Sequence, residues 1–158
     1  MISAIIKIMS LIYLLTSANI ALAESVISKA DVETIFKMNK AEWELTAPRY
    51  TYVGWDTKFK KLETGVIVTA FDKSTGYGLS IQPIYFDNKS GPSSLIVGSF
   101  YPYGTMSANF SDIKKDIESD SENDLGEKYK VTANYLKVSS KIEEIALNIT
   151  QKTKSHNK

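Results

Sequence analysis

Residues 65–86 read GVIVTAFDKSTGYGLSIQPIYF, and this stretch decides the fold class. Its first part, Gly65–Phe71, is apolar at consecutive positions, which is typical of a central strand covered on both faces. Residues 72–76 (DKSTG) have the composition of a turn, and residues 77–86 then alternate between apolar and polar side chains. One face of this second segment carries Tyr77, Leu79, Ile81 and Tyr85. The stretch therefore predicts an antiparallel β-hairpin.

Further strands are predicted on both sides of this hairpin. Residues 49–55 are aromatic and β-branched, residues 95–101 read LIVGSFY, and residues 129–136 alternate between apolar and polar side chains. The lysine-rich residues 58–61 are predicted to form a connector in solvent. Pro83 has no backbone N–H to donate, so it should mark a bulge or an edge position.

The last apolar segment, residues 142–150, fits two structures. Ser140 with Glu143 forms a capping box that would begin a helix. Ile145 and Leu147 instead belong to an alternation with period two, which is typical of a strand. We predict a strand here.

Two helices complete the pattern. Ser28 with Asp31 resembles a capping box, and the helix that follows is predicted to run to about Leu45. Its apolar side is formed by Val32, Ile35, Phe36, Met38 and Trp43. A second, acidic helix is predicted from the N-cap Ser111 to Gly126.

The resulting order is α-β-β-β-β-α-β-β, in which strands follow one another instead of alternating with helices. Such an order predicts an α+β fold with an antiparallel sheet of about six strands and two helices packed against it. Residues 24–150 are predicted to form a single globular domain, because this length matches one ordinary core. Residues 151–158 are polar and are predicted to be a disordered tail.

The first 23 residues are predicted to be a cleaved secretory signal peptide. Lys7 provides a positive charge, residues 8–15 provide an apolar core, and residues 21–23 (ALA) form the small-x-small cleavage triplet. Because polar residues interrupt the segment, it falls short of the ~20 apolar residues that a membrane span requires. The sequence therefore predicts export through a Sec-type pathway to the periplasm or the exterior, with no stable membrane anchor after cleavage.

Composition excludes several classes of site. The chain has no cysteine, so it has no disulfide, Cys nucleophile or Cys-based metal centre. Its 19 basic and 18 acidic residues become 18 and 18 once Lys7 is lost with the leader, and this balance does not indicate a nucleic-acid partner. Arg49 is the sole arginine, and such lysine bias is typical of a bacterial genome of low GC content.

Catalytic and metal-binding candidates are few. The single histidine, His156, lies in the predicted tail, which argues against a Ser-His-Asp triad. Alternating acidic residues within 116–124 fail the EF-hand pattern at its sixth and twelfth positions, so we predict no metal site and no cofactor. Glu63, Asp72 and Asp87 lie near predicted strand ends, where paired carboxylates of glycosidases occur.

Aromatic residues are the remaining candidates for a site. Tyr101 and Tyr103 lie in the turn-forming sequence SFYPYGTM, and Trp55 lies in an aromatic segment. Tyr and Trp contribute strongly to protein interfaces and form platforms for sugars. We therefore predict that Tyr101, Tyr103 and Trp55 bind a protein or glycan partner.

Two classes of function follow from this sequence. The first is a small exported, non-catalytic binding protein of a bacterium, a class that includes secreted effectors or inhibitors acting on a host protein. The second is an exported hydrolase that depends on carboxylates. The first is favoured, because the scarcity of His, Cys and Arg removes most catalytic groups without removing any means of binding.

Overall fold

The computed structural model describes residues 28–51, 54–105 and 110–152. The elements are, in chain order, α1 (Lys29–Lys37), α2 (Lys40–Thr46), a 3₁₀ helix (Ala47–Arg49), β1 (Asp56–Leu62), β2 (Gly65–Phe71), β3 (Gly78–Ile84), β4 (Ser94–Pro102), α3 (Phe110–Leu125), β5 (Tyr129–Lys137) and β6 (Ile142–Gln151). The predicted signal peptide, residues 1–23, and residues 153–158 of the predicted tail lie outside the described residues.

The six strands form one antiparallel sheet in the order β1-β2-β3-β4-β6-β5. The predicted α+β class, with helices packed against an antiparallel sheet, is confirmed. The strand prediction for residues 142–150 is also confirmed, because β6 pairs with both β4 and β5. The alternation of its apolar side chains thus outweighs the local capping signal.

The first predicted strand, residues 49–55, is wrong for the residues described there, and residues 52–53 lie outside the described part of the chain. Ala47–Arg49 is a short 3₁₀ helix, and the strand is instead Asp56–Leu62, which includes the lysines that were predicted to form a connector. This strand, β1, is an edge of the sheet. Edge strands commonly carry lysine, because its charge opposes pairing with other chains, so a lysine run is compatible with an edge strand as well as with a loop.

The predicted first helix is interrupted, so the described part of the chain contains three α-helices where two were predicted. Met38 has extended backbone angles, and Asn39 begins α2 by accepting a hydrogen bond from the Glu42 N–H at 3.1 Å. Glu42 accepts in return from the Asn39 N–H at 2.8 Å. Asn39 and Glu42 therefore form a second capping box, which favours a new helix start over continuation of α1.

One face of the sheet, the core face, packs against the helices. Its buried residues include Val66, Val68, Ala70, Leu79, Ile81, Leu95, Val97, Ile145, Leu147 and Ile149. The Trp43 Nε1 of α2 donates to the Val66 carbonyl at 2.8 Å, and the ring centroids of Phe36 and Tyr129 lie 4.9 Å apart. On the same face, toward the β5 edge, the rings of Phe110 in α3 and Tyr135 lie 5.5 Å apart.

The opposite face, the open face, does not contribute to the buried hydrophobic cluster of the described residues. Its half-buried side chains include Ile67, Thr69, Phe71, Gln82, Ile96, Phe100, Thr132, Glu144 and Asn148. The expectation that Gly65–Phe71 is covered on both faces is therefore not met. Pro83 pairs with Leu95 but lies beyond the last β2 partner, Ile81, so its missing N–H removes no bond to β2.

Candidate functional site

The three aromatic residues predicted to bind a partner lie in different surroundings. Tyr101 is only 3% exposed, and its ring packs edge-on against Tyr77 with the centroids 6.0 Å apart. Trp55 is half-buried and packs against the hydrophobic core. Tyr103 is 47% exposed. A surface role for Tyr101 is therefore inconsistent with the structure, because Tyr101 follows the buried alternation of β4, whereas Tyr103 lies beyond the end of that strand.

The turn that carries Tyr103 is held by main-chain contacts. The Tyr103 N–H donates to the Lys141 carbonyl at 2.9 Å, which extends the contact between β4 and β6 beyond the strands. Gly104 has a φ of 90°, a left-handed conformation that favours glycine. The Thr105 hydroxyl donates to the Pro102 carbonyl at 2.6 Å. These bonds define the backbone path on which the Tyr103 ring is displayed.

A buried carboxylate fixes the same turn from beneath. Glu143 of β6 is fully buried on the core face. Its Oε2 accepts from the Gly104 N–H at 3.2 Å and from the Tyr135 hydroxyl at 3.0 Å. Because a buried carboxylate needs hydrogen-bond donors to offset its lost hydration, Glu143 couples the position of the turn to the sheet.

Three exposed hydrophobic side chains lie at this end of the sheet, and we call them the tip: Tyr103, Leu136 and Val138. Their exposed fractions are 47%, 50% and 51%. Leu136 lies at the end of β5, where its pairing with Glu144 places it on the open face, and Val138 lies in the turn that leads to β6. The Tyr103 turn follows the neighbouring end of β4 and contacts Lys141 of the same β5–β6 turn. Two exposed lysines, Lys137 and Lys141, accompany them. The tip therefore combines apolar surface with positive charge.

Lys137 connects the two parts of the tip. Its Nζ lies 4.5 Å from the centroid of the Tyr103 ring, within the range of a cation–π interaction. Lys137 lies between Leu136 and Val138 in the chain, so this contact joins the hairpin to the Tyr103 turn. The ammonium group also occupies one face of the ring.

Of the acidic residues proposed for a hydrolase, Asp72 and Asp87 accept hydrogen bonds within turns, and Glu63 is exposed to solvent. The Asp72 carboxylate accepts from the hydroxyls of Ser74 and Thr75, each at 2.7 Å, and the Ser74 hydrogen bond is the largest cause that lowers the pKa of Asp72. Asp87 accepts from the Ser90 N–H at 2.7 Å, and this bond is the main cause that lowers its pKa. Glu63 is exposed in the turn between β1 and β2. Because Asp72 follows β2 and Glu63 precedes it, these two residues lie at opposite ends of the sheet.

Glu143 and Glu144 are the two carboxylates of β6. As consecutive strand residues they point to opposite faces of the sheet. Glu144 lies on the open face above Gly98 and beside the Ser80 hydroxyl, and burial raises the pKa of Glu144. Two carboxylates on opposite faces cannot act on the same glycosidic bond.

Within residues 28–51, 54–105 and 110–152, no group of three or more His, Cys, Asp or Glu side chains has the arrangement of a metal site. None of the helices described there has the length and apolar character that a membrane span requires. Comparisons with protein-family models, curated proteins and solved structures gave no match for this chain.

Sequence analysis identified Tyr103 but missed Leu136, Val138 and Glu143. Leu136 and Val138 have the apolar character of core residues, and only their position at the end of β5 leaves them exposed. A signal for Glu143 was present, because the alternation that places Ile145 on the core face also places Glu143 there. A carboxylate in such a position indicates a specific set of hydrogen bonds.

Proposed function

We propose that this chain is a small exported, non-catalytic binding protein that contacts a protein partner through the tip. The observation that supports this proposal is the exposure of Tyr103, Leu136 and Val138 at one end of the sheet, with Tyr103 on a turn that buried Glu143 holds. A contact residue on a fixed turn loses little conformational freedom when it binds, so more of its contact energy appears as affinity.

The chemistry of the tip favours a protein over a glycan. Leu136 and Val138 offer aliphatic surface, which suits the apolar centre of a protein interface. A sugar platform needs an open aromatic face, whereas Lys137 lies over one face of the Tyr103 ring. Burial of about half of each apolar side chain on binding would contribute favourably through the hydrophobic effect.

The alternative function, a hydrolase that depends on carboxylates, receives no support from the positions of its candidate residues. Asp72 and Asp87 hold turns through local hydrogen bonds. Glu143 and Glu144 face opposite sides of the sheet. The binding hypothesis uses side chains that are exposed, whereas Asp72 and Asp87 are engaged in local hydrogen bonds of their turns.

A crosslinking pull-down with a matched control variant tests the proposed tip. Tyr103→Ser with Leu136→Ser should lower capture of a stoichiometric partner by about tenfold, equivalent to about 1.4 kcal/mol. Phe86→Ser is the control, because Phe86 is 85% exposed and lies beyond β3, at the opposite end of the sheet. Circular dichroism and urea unfolding would verify that all variants fold.

Capture that depends on Tyr103 and Leu136 but not on Phe86 would support the proposal. Undiminished capture by the tip variant would contradict it, as would equal loss in the Phe86 variant. Release of the captured partner by free oligosaccharide would instead assign the tip to a glycan.

A further inference from the structure

The two edge strands of the sheet, β5 and β1, differ in what lies beside them. At β5, α3 runs alongside the strand, and the Glu118 Oε1 accepts from the Ala133 N–H at 3.0 Å. At the other edge, β1 pairs with β2 in a regular ladder from Asp56 to Leu62. No backbone hydrogen bond joins β1 to another segment in the part of the chain that the structure describes. One edge is therefore occupied, and the other presents a regular strand.

The chemistry of that edge defines the shape of its occupant. In an antiparallel ladder, alternate residues turn their N–H and C=O groups away from the neighbouring strand. A row of donors and acceptors at this spacing matches the backbone of an extended chain, as in strand addition to a sheet edge. The ladder of β1 contains no proline and no bulge that would interrupt such pairing.

The side chains of β1 define the charge of the occupant. Lys58 and Lys60 are exposed and lie two residues apart, so both project from the open face. Asp56 precedes them on this face, and its carboxylate lies 3.1 Å from Lys73 Nζ and 3.8 Å from Lys58 Nζ. Phe59, between them, is 45% exposed on the core face. A strand lying beside β1 would meet the two lysines with residues two apart and would meet Phe59 with the residue between them. The complementary pattern is an acidic residue, an apolar residue and a second acidic residue.

A second copy of this chain does not have that pattern. An antiparallel pairing of two β1 strands about a two-fold axis at Phe59 would place Lys58 of each copy directly opposite Lys60 of the other. Like charges in directly opposite positions destabilise a strand pair. In this register, which pairs Phe59 with its own copy, the lysines oppose self-association while they favour an acidic strand.

We propose that β1 is a docking edge for an extended acidic peptide segment of a partner protein, which adds to the sheet as a seventh strand. The acidic residues of the segment pair with Lys58 and Lys60, and its apolar residue packs beside Phe59. This edge lies across the sheet from β5 and is separate from the tip, so failure of either proposal leaves the other standing.

The test uses a fluorescein-labelled synthetic peptide with two glutamates that flank one valine. Fluorescence anisotropy should show binding to the full chain, and Lys58→Glu with Lys60→Glu should weaken it by about tenfold. The same variant should gain affinity for a second peptide in which lysines replace both glutamates. This reversal of preference distinguishes paired contacts from loss of folding.

A control variant keeps the same change in net charge away from β1. Lys89 and Lys130 are both exposed, one in the loop after β3 and the other on β5. Lys89→Glu with Lys130→Glu should change the affinity for the acidic peptide by less than about twofold, since the charges act at a distance that salt screens. Hydrogen exchange at saturating peptide should show added amide protection within Asp56–Leu62.

The proposal would be supported by binding of the acidic peptide, by the reversed peptide preference of the Lys58→Glu, Lys60→Glu variant, and by protection of the β1 amides from hydrogen exchange. Absence of binding at about 1 mM peptide, the range of very weak complexes, would overturn it. Equal weakening in the control variant would overturn it too, since the attraction would then be nonspecific. Dimerisation of the wild-type chain that depends on Lys58 and Lys60 would also overturn it, because the edge would then be occupied by a second copy.

Discussion

Glu143 and Glu144 show how adjacent residues of one strand acquire different roles. Glu143 lies on the core face, where Tyr135 and Gly104 donate hydrogen bonds to its carboxylate. Glu144 lies on the open face, where burial raises its pKa. The first side chain is held by specific donors, and burial of the second disfavours its charged form.

Replacement of Glu143 tests its role in holding the Tyr103 turn. Glu143→Ala should lower the free energy of unfolding by about 3 kcal/mol, because the Gly104 N–H and the Tyr135 hydroxyl both lose this acceptor. Glu143→Gln keeps an acceptor oxygen and should cost clearly less. Urea denaturation of both variants measures the difference. Equal losses would show that the carboxamide cannot replace the carboxylate and that hydrogen-bond acceptance alone is not what Glu143 provides.

Glu144 predicts a pH-dependent difference in stability. Its raised pKa means that the folded state favours the protonated form, so wild-type stability falls as pH rises from the ordinary value of 4.5 through the raised pKa. Glu144→Gln removes this loss. The urea midpoints of variant and wild type should be similar at about pH 4 and should diverge toward neutral pH, with the variant more stable.

The exposed residue Glu63 provides a comparison for this pH series. Glu63→Gln removes a carboxylate from the turn between β1 and β2, where solvent reaches it. It removes one negative charge without removing a buried carboxylate, so it controls for the change in net charge. A difference between Glu144→Gln and wild type that does not change with pH would contradict the assigned role of burial.

At the scale of elements, the loop between β3 and β4 packs closely on the junction of α1 and α2. A Cβ atom added at Gly91 would collide with the Phe36 carbonyl oxygen and would also approach the Met38 carbonyl oxygen at 3.8 Å. The colliding atom belongs to the backbone, so it cannot move aside by a change of rotamer. The absence of a side chain at Gly91 therefore sets the distance between this loop and the helices.

Gly91→Ala should consequently destabilise the fold by about 1–3 kcal/mol, the usual cost of overpacking. The control is Lys89→Ala in the same loop, where an exposed side chain is removed and a change within about 0.5 kcal/mol is expected. Urea denaturation compares the two. A neutral Gly91→Ala would show that the loop moves away from α1 without cost.

The elements also show what the sequence could and could not predict. The hairpin of β2 and β3 was predictable. The sequence of β2 is almost continuously apolar, that of β3 alternates between apolar and polar residues, and a polar turn separates the two. The position of β1 was not, because a lysine-rich edge strand lacks the apolar alternation that marks a buried strand. The break between α1 and α2 depends on the capping box of Asn39 and Glu42, which competes with an apolar pattern that continues through it.

At the scale of the whole molecule, the candidate site depends on which residues lie past the ends of strands. Tyr101 and Tyr103 look equivalent in the sequence, yet one is within β4 and buried while the other follows β4 and is exposed. Leu136 and Val138 lie at the same end of the sheet as Tyr103 only because β4 and β5, which flank β6, both finish at the N-terminal end of β6. Such a juxtaposition is set by sheet order, which local patterns do not encode.

The sheet order also bears on how the chain is made. The last strand, β6, lies between β4 and β5, and its ladder joins Ser94 with Thr150 across a long stretch of sequence. During synthesis from the N-terminus, β4 can therefore pair with β3, but its other neighbour, β6, is missing until residues 142–151 have left the ribosome. Contacts so distant in sequence slow folding, since a large loop must close before they form. The nascent chain thus stays incompletely folded until β6 has been made.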